Sequence, residues 1–208
     1  MNNLRTMEPA GPAGTIHVSN LLTYVALLAG CVAASFAITS HNRAAAGAFM
    51  AVAVIADTFD GLFARMFDRT GFQSAFGVQL DSLSDAVTCG FVPLIVLASD
   101  SMPATWGAAL VWWGCAFLYA LAAITRLGYY NLTHDNGPWF VGLPAPFCAL
   151  VVSTSLLFSP HALAAALILV CCAVAMVAPI RVARPRTVGL AAFVGWALVL
   201  VVFHVRAS

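Results

Sequence analysis

The sequence contains no lysine and carries little charge of either sign. All nine basic residues are arginines, eight residues are acidic, and the formal net charge is +1. Such a chain presents no basic surface for a nucleic-acid backbone, so nucleic acid is excluded as a partner. Its six cysteines show no CxxC spacing, and we therefore expect neither a zinc site nor a disulfide framework.

Apolar residues are abundant and occur in long runs. They make up 62% of the chain, and the mean hydropathy is +0.95. Runs of this kind predict an all-α, polytopic membrane bundle. We predict seven transmembrane helices, at about 20–38, 44–65, 77–98, 104–128, 143–159, 161–179 and 187–205. Residues 1–16 lack the compact apolar region and small-residue cleavage site of a secretory leader, so no cleaved leader is expected.

The placement of the arginines predicts the orientation in the membrane. With a cytoplasmic amino terminus, two arginines, Arg43 and Arg206, lie on the outer side. The inner side then carries Arg5, Arg65, Arg69, Arg126, Arg181, Arg184 and Arg186. Because arginine is enriched on the cytoplasmic side of membrane proteins, this orientation is favoured.

Four of the acidic residues lie in or beside apolar segments. Asp57 and Asp60 are three residues apart, so they share one face of a helix. Asp81 and Asp85 are four apart and share another. A carboxylate inside a membrane helix costs roughly 2.5–3.5 kcal/mol, which cations or polar partners must offset. Two such helices facing each other predict an oxygen-rich metal centre suited to Mg²⁺ or Mn²⁺. The alternative is that these acids are helix-end groups in interfacial water.

An arginine beside these acids indicates that the site binds phosphate groups. Arg65 lies at the predicted membrane boundary, where its guanidinium can bind phosphate oxygens through two hydrogen bonds. Two hard cations, an arginine and a spare carboxylate together favour transfer of a phosphoryl-type group, with one acid taking a proton from the attacking hydroxyl.

Eight positions have a recognisable spacing. They read Asp57-x2-Asp60-Gly61-x2-Ala64-Arg65 and then Gly77-x3-Asp81-x3-Asp85. This string resembles the signature of the CDP-alcohol phosphatidyltransferase family. The resemblance implies that Asp57, Asp60 and Asp81 bind two divalent ions. It also implies that Asp85 is both a metal ligand and the general base.

The same resemblance implies a site for the CDP group. The residues concerned are Asp57, Asp60, Gly61, Ala64, Arg65 and Gly77. Asn20, on the opening turn of the first helix, can also face the nucleotide, although helix capping explains it nearly as well. One departure is that eleven residues separate Arg65 from Gly77, which is longer than the common pattern. We place the extra residues in an exposed turn at about 68–72.

Further motifs are similar to the phosphatidylserine synthase branch of the family. They are Gly90-Phe-Val-Pro93, Arg126-Leu127-x2-Tyr130-Asn131 and Gly142-Leu143-Pro144-x-Pro146. Arg126 lies at the cytoplasmic end of the fourth predicted span, at the depth expected for the metal site, where it can hold the carboxylate of serine. Asn131, in a loop at 129–142, can accept a hydrogen bond from the amino group or orient the arginine. Alternatively, Arg126 anchors its helix at the lipid headgroups and Asn131 is a plain turn residue.

Together these motifs imply an enzyme that transfers a phosphatidyl group from CDP-diacylglycerol to the hydroxyl of L-serine and releases CMP. It would work among membrane lipids as a homodimer in a bacterial inner membrane, with its active site on the cytoplasmic side. We divide the chain into a cytoplasmic segment 1–19, a catalytic membrane domain 20–186 and an additional helix 187–208. A different acceptor, such as inositol phosphate or glycerol phosphate, and a membrane ion transporter remain the alternatives.

Overall fold

The computed structural model describes residues 11–133, 139–183 and 187–207. Its helices are α1 (Leu21–Ser40), α2 (Arg43–Ala64), α3 (Gly71–Asp85), α4 (Val92–Ser101), α5 (Trp106–Thr133), α6 (Ala145–Leu156), α7 (Ala162–Val177) and α8 (Thr187–Ala207). A π-helical turn, Ala86–Phe91, joins α3 to α4 without a break. The predicted all-α membrane bundle is confirmed.

The seven predicted spans all correspond to helical segments, but their lengths differ. Five segments of the described residues are long and apolar enough to cross a membrane. They are Val18–Ser40, Arg43–Ala64, Gly71–Ser101, Trp106–Thr133 and Thr187–Ala207. The other two, α6 and α7, have 12 and 16 residues. At about 1.5 Å per residue, neither reaches the roughly 30 Å of a hydrocarbon core.

Local sequence explains where the helices begin. The Asn42 side chain accepts a hydrogen bond from the Ala45 amide at 2.9 Å and caps α2. Thr70 and Gln73 form a reciprocal capping box that begins α3 at Gly71, six residues before the predicted start of this span. The connection between α2 and α3 therefore comprises residues 65–70, and the last two residues of the turn predicted at about 68–72 belong to α3.

Small residues allow the helices to pack closely. The helix α2 packs against α1, α6 and α8, and α5 packs against α7. Alanines fill much of the core, around larger buried side chains such as Trp112, Tyr119 and Met50. A Cβ on Gly30 would lie 2.8 Å from Cγ2 of Thr88, so Gly30 serves a contact within the chain. Many apolar side chains of α5 and α8 are exposed, as expected for surfaces that face lipid.

A short antiparallel strand pair links the segment before α6 to the segment after α7. Strand β1 (Trp139–Val141) pairs with β2 (Arg181–Ala183). The next residue, Gly142, has φ +75°, and a Cβ there would overlap the carbonyl of Met176, so glycine is required. This pairing fixes the chain that leads into Pro144, which precedes α6.

Candidate active site

One end of the helix bundle contains a polar cavity of about 500 Å³. It lies between the start of α1, the end of α2, the middle of α3, the end of α5 and the start of α6. All eleven residues predicted for the site line this cavity: Asn20, Asp57, Asp60, Gly61, Ala64, Arg65, Gly77, Asp81, Asp85, Arg126 and Asn131. The chain thus brings together residues that are up to 111 positions apart in sequence.

Three carboxylates at this cavity are close enough to share a metal ion. One oxygen from each of Asp57, Asp60 and Asp81 lies within 4.8 Å of the other two. The carboxyl group of Asp85 adjoins that of Asp57, as that of Asp81 adjoins that of Asp60. This pairing follows from the opposite directions of α2 and α3, since the first acid of one helix then lies beside the last acid of the other. A donor set made entirely of carboxylate oxygens fits the preference of Mg²⁺ and Mn²⁺.

A threonine of α1 supports this acidic cluster. The hydroxyl of Thr23 donates a hydrogen bond of 2.7 Å to Oδ2 of Asp60, and both residues are buried. Thr23 lines the cavity, and its hydroxyl holds one carboxylate in place, which is the usual task of groups that surround metal ligands.

The glycine, alanine and arginine positions lie beside the acids. A Cβ on Gly61 would meet no atom of the described residues within 4 Å, so their packing does not require this glycine. A Cβ on Gly77 would lie 3.1 Å from Oδ1 of Asn20 and 3.5 Å from Nη1 of Arg69. Gly77 therefore makes room for two polar side chains at the cavity wall.

The Asn20 side chain makes no capping hydrogen bond to α1. It accepts a hydrogen bond from the Ser19 hydroxyl at 3.3 Å and lines the cavity. Of the two interpretations of Asn20, side-chain capping is therefore wrong, and contact with a ligand stays a prediction.

The residues predicted to bind the acceptor lie on the last turns of α5. Arg126 is buried, and its guanidinium carbon lies 5.4 Å from the centre of the Tyr130 ring. It is also near enough to Asp85 to attract this carboxylate electrostatically. Such burial beside an acid makes a headgroup anchor a poor description of Arg126.

Asn131 is helical, and the prediction that it lies in a loop is wrong, because α5 continues to Thr133. Its amide nitrogen donates to the hydroxyl of Ser82 at 2.9 Å and links α5 to α3 one residue after Asp81. The interpretation of Asn131 as a plain turn residue is wrong for the same reason.

Sequence reasoning missed several residues at this cavity. Arg69 was considered only for membrane orientation, yet it lines the cavity beside Gly77. Its position inside the lengthened segment between Arg65 and Gly77 was the available signal. Ser82 lies within the signature string and Tyr130 within a branch motif, and both line the cavity.

The arginines of the described residues divide between the two ends of the bundle. Arg65, Arg69 and Arg126 line the cavity, and Arg181 lies in β2 at the same end. At the other end, Arg43 pairs with Asp100 at 3.6 Å. Three arginines used for orientation, Arg5, Arg184 and Arg186, lie outside the described residues.

Comparisons with known proteins agree with the resemblance. The family described as CDP-alcohol phosphatidyltransferase matches residues 16–178. A CDP-diacylglycerol--serine O-phosphatidyltransferase of Mycobacterium tuberculosis is 39% identical over 132 residues, which cover 60% of this chain and 43% of that protein. An archaetidylserine synthase of Methanothermobacter thermautotrophicus is 34% identical over 149 residues, which cover 71% of this chain and 61% of that protein.

A CDP-diacylglycerol--serine O-phosphatidyltransferase of Bacillus subtilis is 30% identical over 125 residues, which cover 60% of this chain and 67% of that protein. The match to the mycobacterial relatives spans less than half of their length. The family match, by contrast, extends over most of this chain and includes α1 to α7. With its long apolar helices, the protein is an integral membrane protein, and the chain belongs to the CDP-alcohol phosphatidyltransferase family.

Proposed function

We propose that this protein transfers a phosphatidyl group from CDP-diacylglycerol to the hydroxyl of L-serine and releases CMP. The observation that carries the proposal is the convergence of all eight signature positions on one cavity, beside Arg126 and Asn131. Relatives named as serine O-phosphatidyltransferases support serine as the acceptor. Family membership favours this transfer over the ion-transport alternative.

The acidic cluster would bind two divalent cations, Mg²⁺ or Mn²⁺. Asp57, Asp60 and Asp81 would be their ligands, and Asp85 is the further candidate ligand next to Asp57. Bound divalent cations neutralise the charge of a pyrophosphate and stabilise a leaving phosphate. The Thr23 hydroxyl would keep Asp60 turned toward the cavity.

Asp85 is the proposed general base. As the serine oxygen forms a bond to the phosphorus that carries diacylglycerol, Asp85 would take the hydroxyl proton. The bond from this phosphorus to the bridging oxygen breaks, and that oxygen leaves with CMP. Asp85 is suited to this task because it is buried at 8% exposure and lies toward Arg126, the proposed partner of the serine carboxylate. A serine bound there would present its hydroxyl near Asp85.

The substrate would enter the cavity from the membrane. Its CDP group would lie against Gly61, Ala64, Arg65 and Gly77, while its acyl chains stay among lipids. Val78 is 45% exposed and also lines the cavity, so an apolar edge lies next to the polar site. We place this site on the cytoplasmic side of a bacterial inner membrane, because the arginine-rich end of the bundle contains the cavity. A homodimer is part of the same proposal.

A panel of acceptor alcohols tests the proposal. Purified protein is supplied with CDP-diacylglycerol and Mg²⁺ or Mn²⁺, and CMP release is measured with serine, inositol phosphate, glycerol phosphate or no acceptor. We expect metal-dependent release that is fastest with serine. Release only with another alcohol would contradict the serine assignment, and no release with any of them would contradict the transferase assignment.

A further inference from the structure

The helix that carries Asp81 and Asp85 changes its winding directly after Asp85. Residues Ala86–Phe91 form a π-helical turn, in which the amide of Val92 donates to the carbonyl of Val87, five residues earlier. Pro93 explains why an α-helix is not continued here. Proline has no N–H to donate to the carbonyl four residues before it, and its ring collides with that carbonyl. In this chain the carbonyl concerned belongs to Cys89.

A tyrosine of another helix supplies the missing donor. The hydroxyl of Tyr119, in α5, donates a hydrogen bond of 2.8 Å to the carbonyl oxygen of Cys89. Tyr119 is 0% exposed and Cys89 is 1% exposed, so water does not compete for this carbonyl. A buried tyrosine hydroxyl and a buried carbonyl both require a partner, and here each satisfies the other.

The turn is also packed tightly on both sides. Thr88 contacts Gly30 of α1 closely, and a Cβ on Gly90 would lie 3.7 Å from that of Ala123 in α5. The Thr88 hydroxyl donates to the carbonyl of Ser84 at 2.9 Å, just before Asp85. The turn is therefore held between α1 and α5, and the Tyr119 hydroxyl is its polar attachment to α5.

Asp85 is directly connected to this turn. It is the last residue of α3, and the thiol of Cys89 lies 3.9 Å from its Oδ1. A rotation of the turn about the helix axis would therefore rotate the Asp85 side chain relative to Asp57. A change of about 1 Å in the position of a catalytic group is enough to reduce turnover by about a hundredfold.

We infer that Tyr119 is a positioning residue: its hydroxyl fixes the π-helical turn behind Asp85 and thereby sets the direction in which this carboxylate meets the acceptor hydroxyl. The inference rests on the proposed function, because it takes Asp85 as the base. Tyr119 does not line the cavity and contacts no substrate in this proposal. Its effect passes through the backbone at Cys89.

Two measurements on the Tyr119→Phe variant test this inference. The first is hydrogen exchange of the amides in residues 86–92, which we expect to become about tenfold faster while the amides of α2 are unchanged. The second is CMP release with the best acceptor of the panel. We expect kcat to fall about tenfold or more, with KM for CDP-diacylglycerol within twofold of the wild type.

Two further variants test whether Tyr119 acts on Asp85 through the π-helical turn. Tyr129→Phe makes the same chemical change in a half-exposed tyrosine of α5 and should leave both measurements unchanged. Cys89→Ala removes the thiol next to Asp85 but keeps the carbonyl that Tyr119 holds, so we expect it to reduce kcat less than Tyr119→Phe does. An equal or larger loss in Cys89→Ala would show that the thiol, rather than the turn, orients Asp85.

The outcomes separate this inference from the proposed function. Unchanged exchange in Tyr119→Phe would overturn the inference whatever the protein catalyses. Faster exchange with unchanged kcat, or an increase in KM with unchanged kcat, would also overturn it, because the tyrosine would then act on stability or binding alone. Absence of CMP release by the wild type with every alcohol would overturn the proposed function instead, and with it the role of Tyr119 in turnover.

Discussion

Replacing Thr23 with valine tests whether the acidic cluster is a metal site. The substitution keeps the shape of the side chain and removes the hydroxyl, which donates a hydrogen bond of 2.7 Å to Oδ2 of Asp60. A hydrogen bond to a charged group contributes about 1.5–3 kcal/mol, and about 1.4 kcal/mol corresponds to a factor of ten in affinity. If Asp60 is a ligand, we therefore expect the affinity for divalent cations to fall roughly 10- to 100-fold.

The affinity can be measured without turnover. Purified protein is titrated with Mn²⁺, and the free ion is followed by its electron paramagnetic resonance signal. The control is Thr39→Val, which removes an exposed hydroxyl of the same helix that donates to the carbonyl of Ser35 at 2.7 Å. We expect the control to bind Mn²⁺ like the wild type. Equal Mn²⁺ affinity in all three proteins would refute the assignment of Asp60 as a ligand supported by Thr23.

Three other substitutions give distinct expected results. Asp85→Asn should retain CDP-diacylglycerol binding, measured by competition, and lose turnover by at least about a hundredfold; activity near that of the wild type would show that another group is the base. Arg126→Gln should raise KM for serine at least about tenfold and leave KM for CDP-diacylglycerol within twofold, because the charged partner of the serine carboxylate is lost. An equal change in both KM values would contradict the assignment of Arg126 to serine rather than to CDP-diacylglycerol. Gly47→Ala should lower the midpoint temperature of thermal unfolding, since the added Cβ would overlap the buried imidazole of His204 in α8. Overpacking of this kind costs about 1–3 kcal/mol of stability. An unchanged midpoint would mean that α8 can move away from α2 without cost.

The acidic centre could be predicted from local spacing alone. Three- and four-residue separations place Asp57 with Asp60 and Asp81 with Asp85 on single helix faces, and a buried carboxylate in an apolar helix demands a partner. The fold class followed from the length of the apolar runs. These inferences needed only one assumption about distant segments, which is that the helices carrying the two pairs of acids face each other.

Helix boundaries were less predictable where polar residues occur inside helices. The hydropathy of span three rises only near Gly77, whereas α3 begins at Gly71 because Thr70 and Gln73 cap it. In the same way, polar residues near the end of α5 were interpreted as a loop, although α5 continues to Thr133. In both places, capping or packing against neighbouring helices outweighs the average polarity of the segment.

Contacts between distant residues could not be predicted from a single sequence. Ser82 and Asn131 are 49 positions apart, and Tyr119 is 30 positions from the carbonyl that it holds. No local pattern identifies either pair. The sequence does indicate one member of the second pair. Pro93 has no N–H to donate to the carbonyl of Cys89, so this carbonyl needs a donor from elsewhere.

In the proposed reaction, the hydroxyl oxygen of serine attacks the phosphorus that carries diacylglycerol. The most direct measurement supplies the purified protein with CDP-diacylglycerol, Mn²⁺ and serine whose hydroxyl oxygen is isotopically labelled, and then analyses lipid and nucleotide products by mass spectrometry. We predict that the label is retained in phosphatidylserine and is absent from CMP. Phosphatidylserine without the label would contradict attack by the serine oxygen, and no phosphatidylserine at all would contradict the proposed transfer.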